Sequence, residues 1–150
     1  MLKIRDVLQS KSSAIWSIRS KDTAYEAMEF MAERNIGVLL VIDDESVAGI
    51  VSERDFVRSI VLQEKSAKEV LVENLMTREI YCVTPDKPVE ECMGVMTTAH
   101  CRHMPVFENG RLIGIVTFGD IVNALLVEQK IKIQDLESYA SCCDSVSFDD

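Results

Sequence analysis

Two four-residue segments combine side chains suited to holding a ribonucleotide: Ser52-Glu53-Arg54-Asp55 and Thr117-Phe118-Gly119-Asp120. Each follows an apolar run, Gly49-Ile50-Val51 or Gly114-Ile115-Val116, and each stands where a helix is expected to begin. A helix start presents unpaired N–H groups and a partial positive charge, which favour phosphate. The Ser or Thr hydroxyl can bond a phosphate oxygen, and an Asp carboxylate can accept from both vicinal hydroxyls of a ribose. The glycine ahead allows close packing or close approach of a ligand. The same tetrads also read as capping boxes, in which a hydroxyl residue and an acid three positions later satisfy the free N–H groups of a helix. A repeated fold would repeat such a cap, so both readings stay open.

The tetrads match because the chain contains itself twice. Residues 18–55 fall on residues 83–120 with a shift of 65 and no gap, and eight of the 38 pairs are identical. Glu26 meets Glu91, Met28 meets Met93, Met31 meets Met96, Val41 meets Val106 and Asp55 meets Asp120. Two copies of a small unit packed about a two-fold axis hold two related clefts at their seam. That layout suits ligand binding better than a single catalytic centre.

Periodicity supplies the elements that position the tetrads. Ile4, Val7 and Leu8 mark a short amphipathic helix over 3–10, and Ile15 to Ile18 a short strand. Asp22 or Thr23 can cap a helix that buries Ala24, Ala27, Met28 and Met31, and Gly37 stands near its stop. Val38–Ile42 and Val47–Val51 read as a hairpin, followed by a helix from Ser52 to about Leu62. The second half repeats this order. Tyr81–Val83 is a strand, and Pro88 opens a helix burying Val89, Cys92, Met93 and Met96. Met104–Phe107 and Leu112–Val116 form a hairpin about Asn109-Gly110. A long helix from Thr117 carries Ile121, Val122, Leu125 and Leu126, extending toward Ile133 and Leu136. The stretch 64–76 lacks Pro and Gly and is expected to be a helical joint. The fold class is α+β (mixed α/β), with two repeats of strand-helix-strand-strand-helix. The repeats span 1–66, with the N-terminal helix, and 67–138, followed by a polar, acidic tail over 139–150 that is expected to fray.

Composition narrows the function classes. Each repeat is too small to be comfortably stable alone, so the halves are expected to share an interface. A formal charge of −9 repels nucleic-acid backbones. No apolar run approaches the ~20 residues of a membrane helix, and MLKIRDVLQSK lacks the pattern of a signal peptide, which points to the cytoplasm. Five cysteines without a CxxC pair read as thiols, Cys92 and Cys101 as small core residues and the adjacent Cys142 and Cys143 as plain exposed thiols.

At Gly49 to Asp55 and Gly114 to Asp120 the chain resembles the CBS-domain family, named after the cystathionine β-synthase domain, with its glycine, two apolar residues, Ser/Thr, two variable positions and Asp. Cys101-Arg102-His103-Met104-Pro105-Val106 is similar to the run that leads into the second strand of many such units. The resemblance covers about residues 4–138 and points to a small stand-alone CBS pair. It implies two clefts between repeats related by a pseudo-two-fold axis, binding AMP, ADP, ATP, NAD or S-adenosylmethionine. Asp55 and Asp120 would then hold ribose hydroxyls, and Ser52 and Thr117 phosphate or ribose. Ile36, Ile50, Cys101 and Ile115 would lie against adenine. Arg54, Arg102 and His103 would meet phosphate, with a solvated helix residue as the other reading of Arg54. The resemblance also implies a homodimer of four repeats, with apolar helix stripes, including Leu125, Leu126 and Leu136, as contacts.

The halves also differ. Ile36-Gly37-Val38-Leu39-Leu40 replaces Cys101-Arg102-His103-Met104-Pro105 and lacks its cations and proline, so the two clefts are expected to differ. The spacing of His100, Cys101 and His103 does not put three metal ligands on one face, so no metal is expected. No nucleophile–base arrangement is evident, and no catalytic residue is assigned. The resulting reading is a non-catalytic regulatory module that senses adenine nucleotides and passes occupancy to a partner protein. The alternative is an interaction scaffold with degenerate clefts.

Overall fold

The structure, a computed structural model, describes residues 1–11 and 14–144, the last two by backbone alone. It divides into two compact units: Ala14–Tyr81, here the first unit, and Met1–Ser13 with Cys82–Asp150, the second. Both have the helix–hairpin–helix order expected from the sequence, and the first also has the lead strand.

In the first unit β1 (Ser17–Ile18) pairs in parallel with β2 (Val38–Asp43), which pairs antiparallel with β3 (Ser46–Ser52). In the second unit β4 (His103–Glu108) and β5 (Arg111–Thr117) form the matching hairpin. The shift of 65 holds residue for residue. It relates α2 (Ala24–Arg34) to α4 (Val89–Ala99), and both hairpins carry a bulge at the same place. Burial alternates along the later part of β3 and β5, the two-residue period of a strand, whereas the first strand of each hairpin buries three residues in a row. Leu39, Val41 and Val51 thereby enter one core, and Met104, Val106 and Val116 the other.

Helix ends follow local chemistry. Thr23 caps α2 reciprocally: its Oγ1 accepts from the Glu26 amide at 3.2 Å, while Glu26 Oε2 accepts from the Thr23 amide at 2.8 Å. Met28 is only half-buried, whereas Ala24, Ala27 and Met31 are buried as expected. The left-handed residue that stops α2 is Asn35, not Gly37, and its counterpart after α4 is His100, with φ of 53° and 54°. After β3, α3 (Glu53–Phe56) lasts four residues and passes into a π-type turn, Val57–Val61. After β5, α5 (Phe118–Asp144) runs for 27 residues. It continues through 139–144, which the sequence reads as tail; 145–150 lie outside the described residues.

Three expectations are corrected. The stretch 64–76 is not a helical joint but a set of turns with one 3-10 turn, Val72–Asn74, because Val72, Leu75 and Met76 are drawn into the first core. Tyr81–Val83 is not a strand: only Val83 bridges to Val106. The cause is Pro105. In the first unit the Leu40 amide donates to the Trp16 carbonyl, and Pro105, at the position matching Leu40, has no N–H to give. The N-terminal helix α1 (Ile4–Gln9), grouped with 1–66 from sequence, belongs instead to the unit of the second repeat, where Ile4 and Val7 are buried.

That last correction reveals a second register. The lead segments, α1 and Val72–Asn74, relate by a shift of 68 rather than 65. Ile4 donates its amide to Lys87 O and Leu2 O accepts from Val89; Val72 donates to Asp22 O and Val70 O accepts from Ala24. Each lead segment is therefore built into the repeat that does not follow it in sequence.

Candidate functional site

Each tetrad sits where a hairpin strand turns into a helix. Ser52 remains extended (φ −126°, ψ 164°) while Glu53 is already helical. The Glu53 amide donates to Gly37 O at 3.1 Å, and the matching Phe118 amide donates to Arg102 O at 2.8 Å. These bonds fasten each helix start to the beginning of the neighbouring strand. Register does the same from the other side, pairing Val38 with Ser52 and His103 with Thr117. The structure thus gathers Ile36, Ile50, Ser52 and Asp55 in the first unit, and Cys101, Arg102, His103, Ile115, Thr117 and Asp120 in the second. Arg54 and Arg102 are exposed, with room to meet an anion; the others are half-buried.

The tetrads differ in detail. Asp55 Oδ2 accepts from both the Ser52 amide (2.8 Å) and the Ser52 hydroxyl (3.1 Å). Asp120 Oδ2 accepts from the Thr117 amide (2.9 Å), while Thr117 Oγ1 accepts in return from the Asp120 amide (3.0 Å). The capping reading is therefore correct for both. It does not exclude a ligand, because a carboxylate offers about four acceptor positions.

Lys11, which the sequence reading passed over, reaches this second junction. Its Nζ lies 2.6 Å from Asp120 Oδ2 and 3.0 Å from Ile115 O. Partial burial pushes the Asp120 carboxyl up. The Lys11 hydrogen bond, the Thr117 amide, the Lys11 charge and the Thr117 side chain together outweigh that and hold it below the usual range. Burial lowers the His103 imidazole; Asp120 raises it, and Lys11 and Arg102 add to the lowering. The signal for Lys11 lay in the lead segments, whose 68-residue register a slide of 65 misses.

The glycine of each motif serves packing. A Cβ on Gly49 would lie 2.8 Å from both Met76 Sδ and Thr77 O, and one on Gly114 would lie 2.8 Å from Leu8 Cδ2. Leu8 and Met76 are matching residues of the two lead segments. An apolar hollow of about 240 Å³ beneath α3, lined by Met28, Met31, Ala32, Glu53, Phe56, Val57 and Val61, offers no cation for a phosphate.

Cys92 is buried, and burial, with Cys101 and Glu91 nearby, pushes its thiol up to about 11, so it stays protonated at neutral pH. The side chain of Cys143 lies outside the described residues. Among the described residues no three His, Cys, Asp or Glu side chains cluster as metal ligands, and no helix is long and apolar enough to cross a membrane.

A unit used twice, with a hydroxyl–acid junction in each copy, places the protein among paired-repeat modules. The chain belongs to the CBS-domain family, whose model matches residues 4–62 and 72–127. It is 36% identical over 146 residues to a mitochondrial CBS domain-containing protein of Arabidopsis thaliana, covering 91% of this chain and 70% of that one. A solved protein with CBS domains from Burkholderia ambifaria is 40% identical with a TM-score of 0.82, over 85% of this chain and 96% of that one. The fold is also that of a CBS pair solved with 5′-methylthioadenosine and S-adenosyl-L-methionine, at 23% identity and a TM-score of 0.73, over 85% of this chain and 98% of that one. Such pairs are regulatory, non-catalytic modules.

Proposed function

We propose that the protein is a sensor of adenosine-containing nucleotides (AMP, ADP, ATP or NAD) that signals occupancy to a partner protein from the cytoplasm. The observation that carries this reading is the junction of the second unit. There a half-buried carboxylate, a hydroxyl and the start of a 27-residue helix stand beside Arg102 and His103, at the entry to the adjoining strand. Asp120 suits a ribose diol, the helix start and the cations suit phosphate, and Cys101 and Ile115 offer apolar contact to a base. The first unit keeps Asp55 and Ser52, but Gly37 and Val38 stand in place of the cations, and its α-helix passes into a π-type turn after four residues. It is the weaker site. The adenosine compounds bound by the CBS pair described above support the ligand class.

Leu126, Ile131, Ile133, Leu136 and Tyr139 are exposed along α5, which supports a homodimer formed through this helix. Calorimetry on protein stripped of bound ligand, with AMP, ATP and NAD, tests the sensor. Binding that weakens at least tenfold in Asp120→Asn is the expected result. Absence of binding, or binding indifferent to Asp55→Asn and Asp120→Asn combined, leaves the interaction scaffold as the better account.

A further inference from the structure

The ammonium of Lys11 bonds two acceptors at the second junction, one of them on the carboxylate suited to a ribose diol. It bonds Asp120 Oδ2 at 2.6 Å and Ile115 O at 3.0 Å, and the two side chains are 27% and 26% exposed. Neither contact has a counterpart in the first unit. There the Ile50 carbonyl accepts from the Thr77 amide at 2.8 Å, and Asp55 is held by Ser52. In the register of the lead segments, Lys11 corresponds to Glu79, an exposed residue of opposite charge. The ammonium is thus specific to the junction that also carries Arg102 and His103.

We propose that Lys11 makes the Thr117–Asp120 site selective for phosphorylated nucleosides over neutral ones, an inference that rests on the adenosine-ligand reading above. A ribose diol that bonds both oxygens of the Asp120 carboxylate displaces the ammonium from Oδ2. A neutral nucleoside then leaves that charge half-buried against one carbonyl, which is costly. A phosphorylated nucleoside brings an anion to replace the lost one. The four-carbon stem of lysine lets the ammonium swing from carboxylate to phosphate without backbone movement. The pair therefore acts as a filter: the site opens at low cost only to a ligand that supplies its own negative charge.

The test measures AMP and adenosine affinity by calorimetry on stripped protein, with Asp55→Asn present throughout to weaken the first site. Comparison is among chains with Lys11 intact, Lys11→Met, which keeps length and loses charge, and Lys11→Arg. The expected result is that Lys11→Met tightens adenosine binding and weakens AMP binding. The preference for AMP over adenosine falls about tenfold or more, as for loss of a hydrogen bond to a charged group, and Lys11→Arg largely restores it. An unchanged preference in Lys11→Met, with both ligands still bound, overturns the inference and leaves the sensor reading intact. No binding of either ligand with Lys11 intact or replaced overturns both.

Discussion

The two units share a backbone and differ in what their lead segments bring to the tetrad. In the first, Thr77 docks on Ile50 through paired backbone bonds, 3.0 and 2.8 Å long, and contributes no charge. In the second, α1 ends at Gln9 and the chain beyond it delivers Lys11 to Ile115 O and Asp120. One junction is closed by backbone and the other by a side-chain cation. A side chain swings aside more cheaply than a backbone ladder comes apart, so duplication of the fold has not duplicated the junction.

The comparison breaks most visibly through the cores. Ile4 and Val72 are matching lead residues, both fully buried. Ile4→Ala is expected to cost about 2–5 kcal/mol, mainly in the second unit. Val72→Ala should instead destabilise the first unit, by a smaller amount. Trp16, the only tryptophan, lies in the first unit with Arg34 stacked 4.4 Å from its ring. Denaturant unfolding followed by its fluorescence should shift more for Val72→Ala, while hydrogen exchange in α4 should respond more to Ile4→Ala. Equal responses of both probes to both variants would mean that the units do not unfold separately.

The motif glycines sharpen the contrast at smaller scale. Gly49→Ala sets a methyl against a backbone carbonyl, Thr77 O, and is expected to cost about 1–3 kcal/mol. Gly114→Ala meets the tip of Leu8, which can rotate away, and should cost about 1 kcal/mol or less. Thermal melts of the two variants decide it; equal costs would remove the distinction between the junctions.

Acidification gives the smallest effect. Burial holds the folded His103 pKa below the ordinary 6.5. Above 6.5 the imidazole is neutral in both folded and unfolded chains and contributes no pH dependence. As pH falls through 6.5 toward the folded value, the unfolded chain gains its proton first, so stability declines over that window. Melting temperature should therefore drop between pH 7 and pH 5, and His103→Gln should flatten the slope. Lys11→Met, which removes a charge that lowers His103, should move its NMR titration upward. The first unit, with Val38 at the matching position, has no such group.

Much of this was legible in the sequence because it depends on local pattern. The matched tetrads, both hairpins, the helices after Thr23 and Pro88, and the long final helix all follow from apolar period, turn residues and caps. What escaped depends on contacts distant in the chain. The strand at Tyr81–Val83 looked sound on its own residues and was cut short by a proline in its partner. The helix after Ser52 kept its apolar spacing yet widened into a π-type turn, a change that periodicity does not register. The home of α1 and the reach of Lys11 depend on residues about eighty to one hundred and ten positions away. The tetrads stand out in the sequence because a hydroxyl, an acid and a helix start coincide in one short segment. Lys11 was missed because its partner lies in another.

The placement of α1 also sets an order of assembly. The first unit is one uninterrupted stretch and can close once Tyr81 has left the ribosome. Residues 1–11 are made well before the surface they bind, which runs from Val83 through Asp120. Until then Ile4 and Val7 remain wet, and the Lys11–Asp120 pair cannot form. The opening helix is therefore held in reserve until the distant half of its own fold has been made.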